Sequence, residues 1–105
     1  MMKPGRHDIR HQVLITGAEL DELQRHTALM AESFGLDRRI EEYRGRRPLG
    51  LYRWDLECLL EVMGTALADR RTYPSQDAPG YRALNILNAR LQAEYEAHYG
   101  GERSG

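Results

Sequence analysis

Four glutamates, a run of arginines, four histidines and a single cysteine carry most of the chemistry open to this chain. Glu19 and Glu22 stand three residues apart and Glu57 and Glu61 four apart, so on a helix each pair shares one face. Carboxylates that face each other across packed helices hold magnesium or a di-metal centre. The same spacing arises on any solvated helix face, and the four acids are read that way. No metal and no other cofactor is expected.

The segment RRIEEYRGRRPLGLYRW holds six arginines and three aromatics in seventeen residues. A phosphate-binding surface would use the guanidinium forks of Arg44, Arg46, Arg47 and Arg53, with Tyr43, Tyr52 or Trp54 as a stacking face. The plainer reading divides the segment. Arg38 and Arg39 precede Glu41 and Glu42 at helix-pairing distance, and Tyr43 and Tyr52 turn inward. What remains is a solvated arginine turn flanked by Pro48 and two glycines. Trp54 projects opposite the apolar face of its helix, and an outward tryptophan marks a contact surface.

His7 and His11 have the i, i+4 spacing of a helical metal pair but sit in an end expected to be loose, with no further ligands nearby. His26 follows Glu22 by four residues as a surface pair, and His98 suits the negative end of its helix. Cys58 has no base placed beside it and is not read as a nucleophile. There is no serine triad and no glycine-rich phosphate loop.

The stretch WDLECLLEVMGTALAD resembles in texture the first acidic helix of the all-α nucleoside-triphosphate pyrophosphatases, the MazG-like family. That resemblance implies an all-α fold with an E-x-x-E helix followed by an E-x-x-D helix, the acids binding magnesium. Here Glu61 is followed three residues on by Gly64, and the last helix has Asn85 and Asn88 where acids belong. Neutral amides do not supply the charge a divalent ion needs, so a shared fold would imply lost chemistry.

The elements that position these groups follow from periodicity. The segment HQVLIT, rich in β-branched residues, suits a short extended arm or strand. TGAE then matches a capping box, Thr16 to Glu19. Leu20, Leu23, Thr27, Met30, Ala31 and Phe34 share one helical arc of about 100°, with Gly35 as the stop. A short piece, LDRRIEEYR, places Leu36, Ile40 and Tyr43 inward. GRRPLG is the clearest breaker. The next helix, 52–69, carries a wide apolar face of Tyr52, Leu56, Leu59, Leu60, Met63, Ala66 and Leu67. That face is wider than two neighbours need, which predicts a further partner helix from a second copy. The last helix is placed at 78–99, capped by Asp77 and ended by the Gly100–Gly101 pair. Along its edge Tyr81, Asn85, Asn88, Gln92, Tyr95 and Tyr99 border the leucine stripe. Amphipathic tyrosines and amides in that position suit a protein interface.

The expected fold is therefore all-α: one domain of 105 residues, a small bundle of three main helices plus a short one. Residues 1–10 and 101–105 are expected to be flexible. Fifteen basic residues against sixteen acidic ones give a net charge of -1, which disfavours a dedicated nucleic-acid or membrane-surface protein. Fourteen of the fifteen are arginine, a bias that GC-rich coding also produces. The N-terminal residues carry charge with no apolar run behind them and are not read as a signal peptide. One cysteine excludes an internal disulfide and suits a cytoplasmic setting. The function expected is non-enzymatic: self-association and protein–protein contact through Trp54, Tyr81, Asn88, Tyr95 and Tyr99. The alternatives are phosphate binding by Arg44, Arg46, Arg47 and Arg53, or a degenerate pyrophosphatase retaining Glu19, Glu22, Glu57 and Glu61.

Overall fold

The computed structural model describes residues 10–28 and 35–103, with side chains through Tyr99. Strand β1 (His11–Val13) leads into α1 (Gly17–Thr27), followed by α2 (Leu36–Glu42), β2 (Leu49–Leu51), α3 (Arg53–Ala68) and α4 (Tyr81–Arg103). The chain is mostly helical, but it is not purely α. β1 and β2 pair antiparallel, with His11 opposite Leu51 and Val13 opposite Leu49. The breaker GRRPLG thus ends in a strand, because Leu51 is fully buried and its ladder partner is supplied by the N-terminal segment.

Local signals decide only part of where the helices lie. α1 buries Leu20, Leu23 and Thr27, the face the spacing predicted; Met30, Ala31 and Phe34 lie outside the described residues. The expected capping box does not form. Thr16 makes no side-chain cap bond, and Glu19 is drawn away to Arg90 on α4, 2.5 Å from its guanidinium. Gly35 adopts a left-handed conformation (φ 88°) and starts α2, which buries Leu36 and Ile40 completely. α4 begins later than expected: Gly80 is left-handed (φ 85°), the amide of Leu84 donates to its carbonyl, and Asp77 instead bonds Ser75 in a preceding turn. Nor does α4 stop at its glycine pair, since the helix runs on to Arg103.

Among the described residues the core is one cluster. Leu56, Leu59 and Met63 of α3 meet Leu84, Leu87 and Leu91 of α4, joined by Leu23 of α1, Leu36 and Ile40 of α2, Ile15 and Leu51, and by the rings of Tyr73, Tyr95 and Tyr99. Each fully buried aliphatic side chain of this kind contributes roughly 1.5–3 kcal/mol relative to exposure. The wide apolar face of α3 is accounted for inside one chain: α4, α1 and β2 all pack against it. Leu60 and Leu67, at the margins of that face, lie half-buried against the same core. No described helix is long and apolar enough to cross a membrane.

Candidate functional site

The arginine segment is built into the fold from several sides. Arg39 does not pair with its helical neighbours. It reaches Asp55 in the first turn of α3 (2.8 Å) and also donates to the carbonyl of Gly50 on β2 (3.2 Å). Asp55, almost fully buried, accepts a second bond from the amide of Tyr52, 2.9 Å away. The hydroxyl of Tyr43 donates to the carbonyl of Arg47 (2.5 Å) and accepts from the amide of Ile15 (3.3 Å). Gln24 of α1 donates to the carbonyls of Ile40 and Tyr43. Arg44, Arg46 and Arg47 are left exposed on the turn. Arg53 lies elsewhere in chemical terms: its guanidinium sits over the ring of Tyr99, 4.7 Å from the centroid, and pairs with Glu57 at 3.4 Å.

Trp54, beside Arg53, is 54% exposed and projects away from the buried side of α3, as its position in the helical period predicts. The edge residues of α4 divide. Tyr81 and Asn88 are half-buried. Tyr95 and Tyr99 are core residues rather than an edge, because they extend the Leu84–Leu87–Leu91 stripe at helical spacing. Their hydroxyls are satisfied internally: Tyr95 donates to Glu57 (2.6 Å), and Tyr99 bonds Nε2 of His11 (2.7 Å). A contact surface therefore cannot include their rings without opening the core.

The four acids read as a possible metal set do not converge. Glu19 serves Arg90, Glu57 serves Tyr95 and Arg53, and Glu61 is exposed. Glu22 accepts from the hydroxyl of Tyr73 (2.5 Å), which in turn bonds Nε2 of His26 (2.8 Å). With the Tyr73 proton committed to Glu22, the nitrogen of His26 donates. Burial pushes the Tyr73 phenol far above its usual range, and the neighbouring carboxylate adds to the shift. His26 borders an open cleft of about 320 Å³ shared with Glu61, Val62, Thr65, Ala66, Asp69 and Thr72. Burial lowers the pKa of His26, and Arg25 lowers it further against the opposing pull of Glu22 and Asp69. Cys58 is half-buried; burial raises its pKa, and the charges of Asp55, Glu61 and Glu57 raise it more. A thiol so disposed stays protonated near neutrality and is a poor nucleophile.

A second polar group was not legible as a unit. His11 is not in a loose end but on β1, only 2% exposed, with Nδ1 2.7 Å from Oε2 of Glu94. The same carboxylate oxygen lies 3.3 Å from Nε2 of His98. Glu94 and His98 are four residues apart on α4, a spacing visible in the sequence. What the sequence withheld is that β1 lays His11 against them, 83 residues away from Glu94. His7, four residues before His11, lies outside the described residues.

The chain matches no protein-family model, no curated protein and no solved structure in the comparisons made with each.

Proposed function

We propose that this chain is a small, non-enzymatic helical-bundle protein acting in the cytoplasm through self-association and protein–protein contact, centred on the N-terminal end of α3. The observation that carries the reading is the exposure of Trp54 beside an arginine stacked over Tyr99. Tryptophan, tyrosine and arginine are the residues most enriched at the energetic centres of interfaces. Here Tyr95 and Tyr99 act as the floor that fixes Arg53 and Glu57, while Trp54 makes the contact. Tyr81 and Asn88 lie half-buried on α4 and belong to a separate, secondary surface.

A second copy is the occupant we favour. In a two-fold contact the same patch serves both partners. Antiparallel α3 helices would set the Arg53 end of one toward the exposed Glu61 of the other, with opposite charges facing. Trp54 is the chain's only tryptophan, so its fluorescence reports the contact directly. The emission maximum should shift to the blue as protein concentration rises, in step with a doubling of mass by light scattering, and Trp54→Ala should remain monomeric. A monomer with concentration-independent, red emission at every accessible concentration would overturn the self-association reading.

Exposure of Arg44, Arg46 and Arg47 favours a second reading, phosphate binding at the turn without Arg53. It requires affinity for a polyanion that falls steeply with salt as counterions are released. Absence of binding at low salt would end it.

A further inference from the structure

We propose that His11, Glu94 and His98 form a binding site for a divalent transition-metal ion of the zinc class, joining β1 to α4. One ligand atom from each residue falls within 4.8 Å of the other two. Zinc–nitrogen and zinc–oxygen bonds of about 2.0–2.2 Å set tetrahedral ligand–ligand separations of about 3.3–3.5 Å. The Glu94–His98 pair, at 3.3 Å, already has that separation. The His11–Glu94 pair, at 2.7 Å, is closed up as a direct hydrogen bond and must open by about 0.6 Å to reach it, while the third separation, within 4.8 Å, must close as His98 turns toward His11. Glu94 and His98 are both more than a third exposed, so they are the ligands able to adjust, while His11 is held.

The surroundings have the organisation a metal-bound imidazole requires. When a histidine coordinates through one ring nitrogen, the other nitrogen donates to a fixed acceptor, which sets the tautomer and the ring plane. Without metal, Nδ1–H of His11 donates to Glu94 and Nε2 accepts from the hydroxyl of Tyr99 at 2.7 Å; an ion that replaces the Nδ1 proton leaves Nε2–H to donate to the Tyr99 oxygen. Tyr99 is in turn buried and covered by the Arg53 guanidinium. Tyr99 is thus a positioning residue for His11, and the same polar group supports both the metal ligands and the floor under the α3 surface. Two imidazoles and one carboxylate make the donor set of an open three-ligand site. The half-exposed side of Glu94 and His98 leaves the remaining coordination positions toward solvent. The donor set selects zinc or a neighbouring first-row ion over magnesium or calcium, which require oxygen ligands.

The test is titration of the full chain with zinc chloride, and with cobalt(II) as a spectroscopic probe, followed by calorimetry and thermal melting. One equivalent should bind and raise the melting temperature, because the ion fastens two elements distant in sequence. Cobalt should give visible absorption bands of a low-coordinate nitrogen–oxygen site. His98→Gln should weaken binding by at least tenfold, and Tyr99→Phe by about tenfold or more through misorientation of His11. His26→Gln, outside the group, should bind as the unaltered chain does. His11→Gln removes a buried residue and risks the fold, so His98→Gln, on the exposed side, decides the question. Absence of stoichiometric zinc binding, or binding equally tight in His98→Gln, would overturn the proposal and leave a purely hydrogen-bonded group.

Discussion

Arg39 and Asp55 form an ion pair at 2.8 Å that joins α2 to the first turn of α3. The carboxylate is buried and the guanidinium is partly open to solvent, so the two ends of the pair are not equivalent. Removing Arg39 leaves a buried charge with one amide partner, from Tyr52. Arg39→Met should therefore lower stability by about 1–3 kcal/mol. A lower urea midpoint with an unchanged slope would register that loss. Arg38→Met, one position away and exposed, should leave the midpoint within error.

Tyr95 tests whether the α4 edge is core or interface. Truncation to alanine removes a buried ring and should cost about 3–5 kcal/mol, in the range of other large-to-small aromatic changes. Tyr95→Phe should lose only the bond to Glu57, about 0.5–1.5 kcal/mol. Equilibrium unfolding separates the two. A Tyr95→Ala chain as stable as the original would mean that the ring does not pack where the structure has it.

Stability should depend on pH through His26. Its folded pKa lies below the ordinary histidine value because burial disfavours the charged ring. The unfolded chain then binds the proton more readily, so stability is fully present above about pH 6.5 and declines as pH falls toward the folded pKa. His26→Gln should flatten that part of the profile. Thermal melts between pH 5 and 8 provide the measurement, run with a chelator to keep the His11–Glu94–His98 group free of metal.

Gly80 is required twice over. Its backbone is left-handed at φ 85°, and an added Cβ would collide with the carboxylate of Glu22. Gly80→Ala should cost about 1–2 kcal/mol from conformation alone. Displacement of Glu22 from Tyr73 should add to it. Gly64→Ala is the matched control: a Cβ there meets open space within a helix, and alanine should be neutral or mildly stabilising.

Helical periodicity made much of this molecule legible. Leu20, Leu23, Leu36, Ile40, Leu56, Leu59, Met63, Leu84, Leu87 and Leu91 face inward as their spacing requires, and Trp54 faces out. Such patterns are local: a side chain's place on a helix is decided by its neighbours three and four residues away. Partnership is not local. Nothing within reach of Leu49–Leu51 says that His11–Val13 will pair with it, so the turn signal of GRRPLG hid a strand. Glu19 had a capping role available next door and was taken instead by Arg90, 71 residues on. Tyr95 and Tyr99 looked like an edge because a tyrosine's amphipathic character fits both a rim and a core with buried acceptors, and only tertiary packing supplies Glu57 and His11 as those acceptors. The same holds for His11, Glu94 and His98: the i, i+4 pair was present in the sequence, but the third ligand arrives only when β1 is laid against α4.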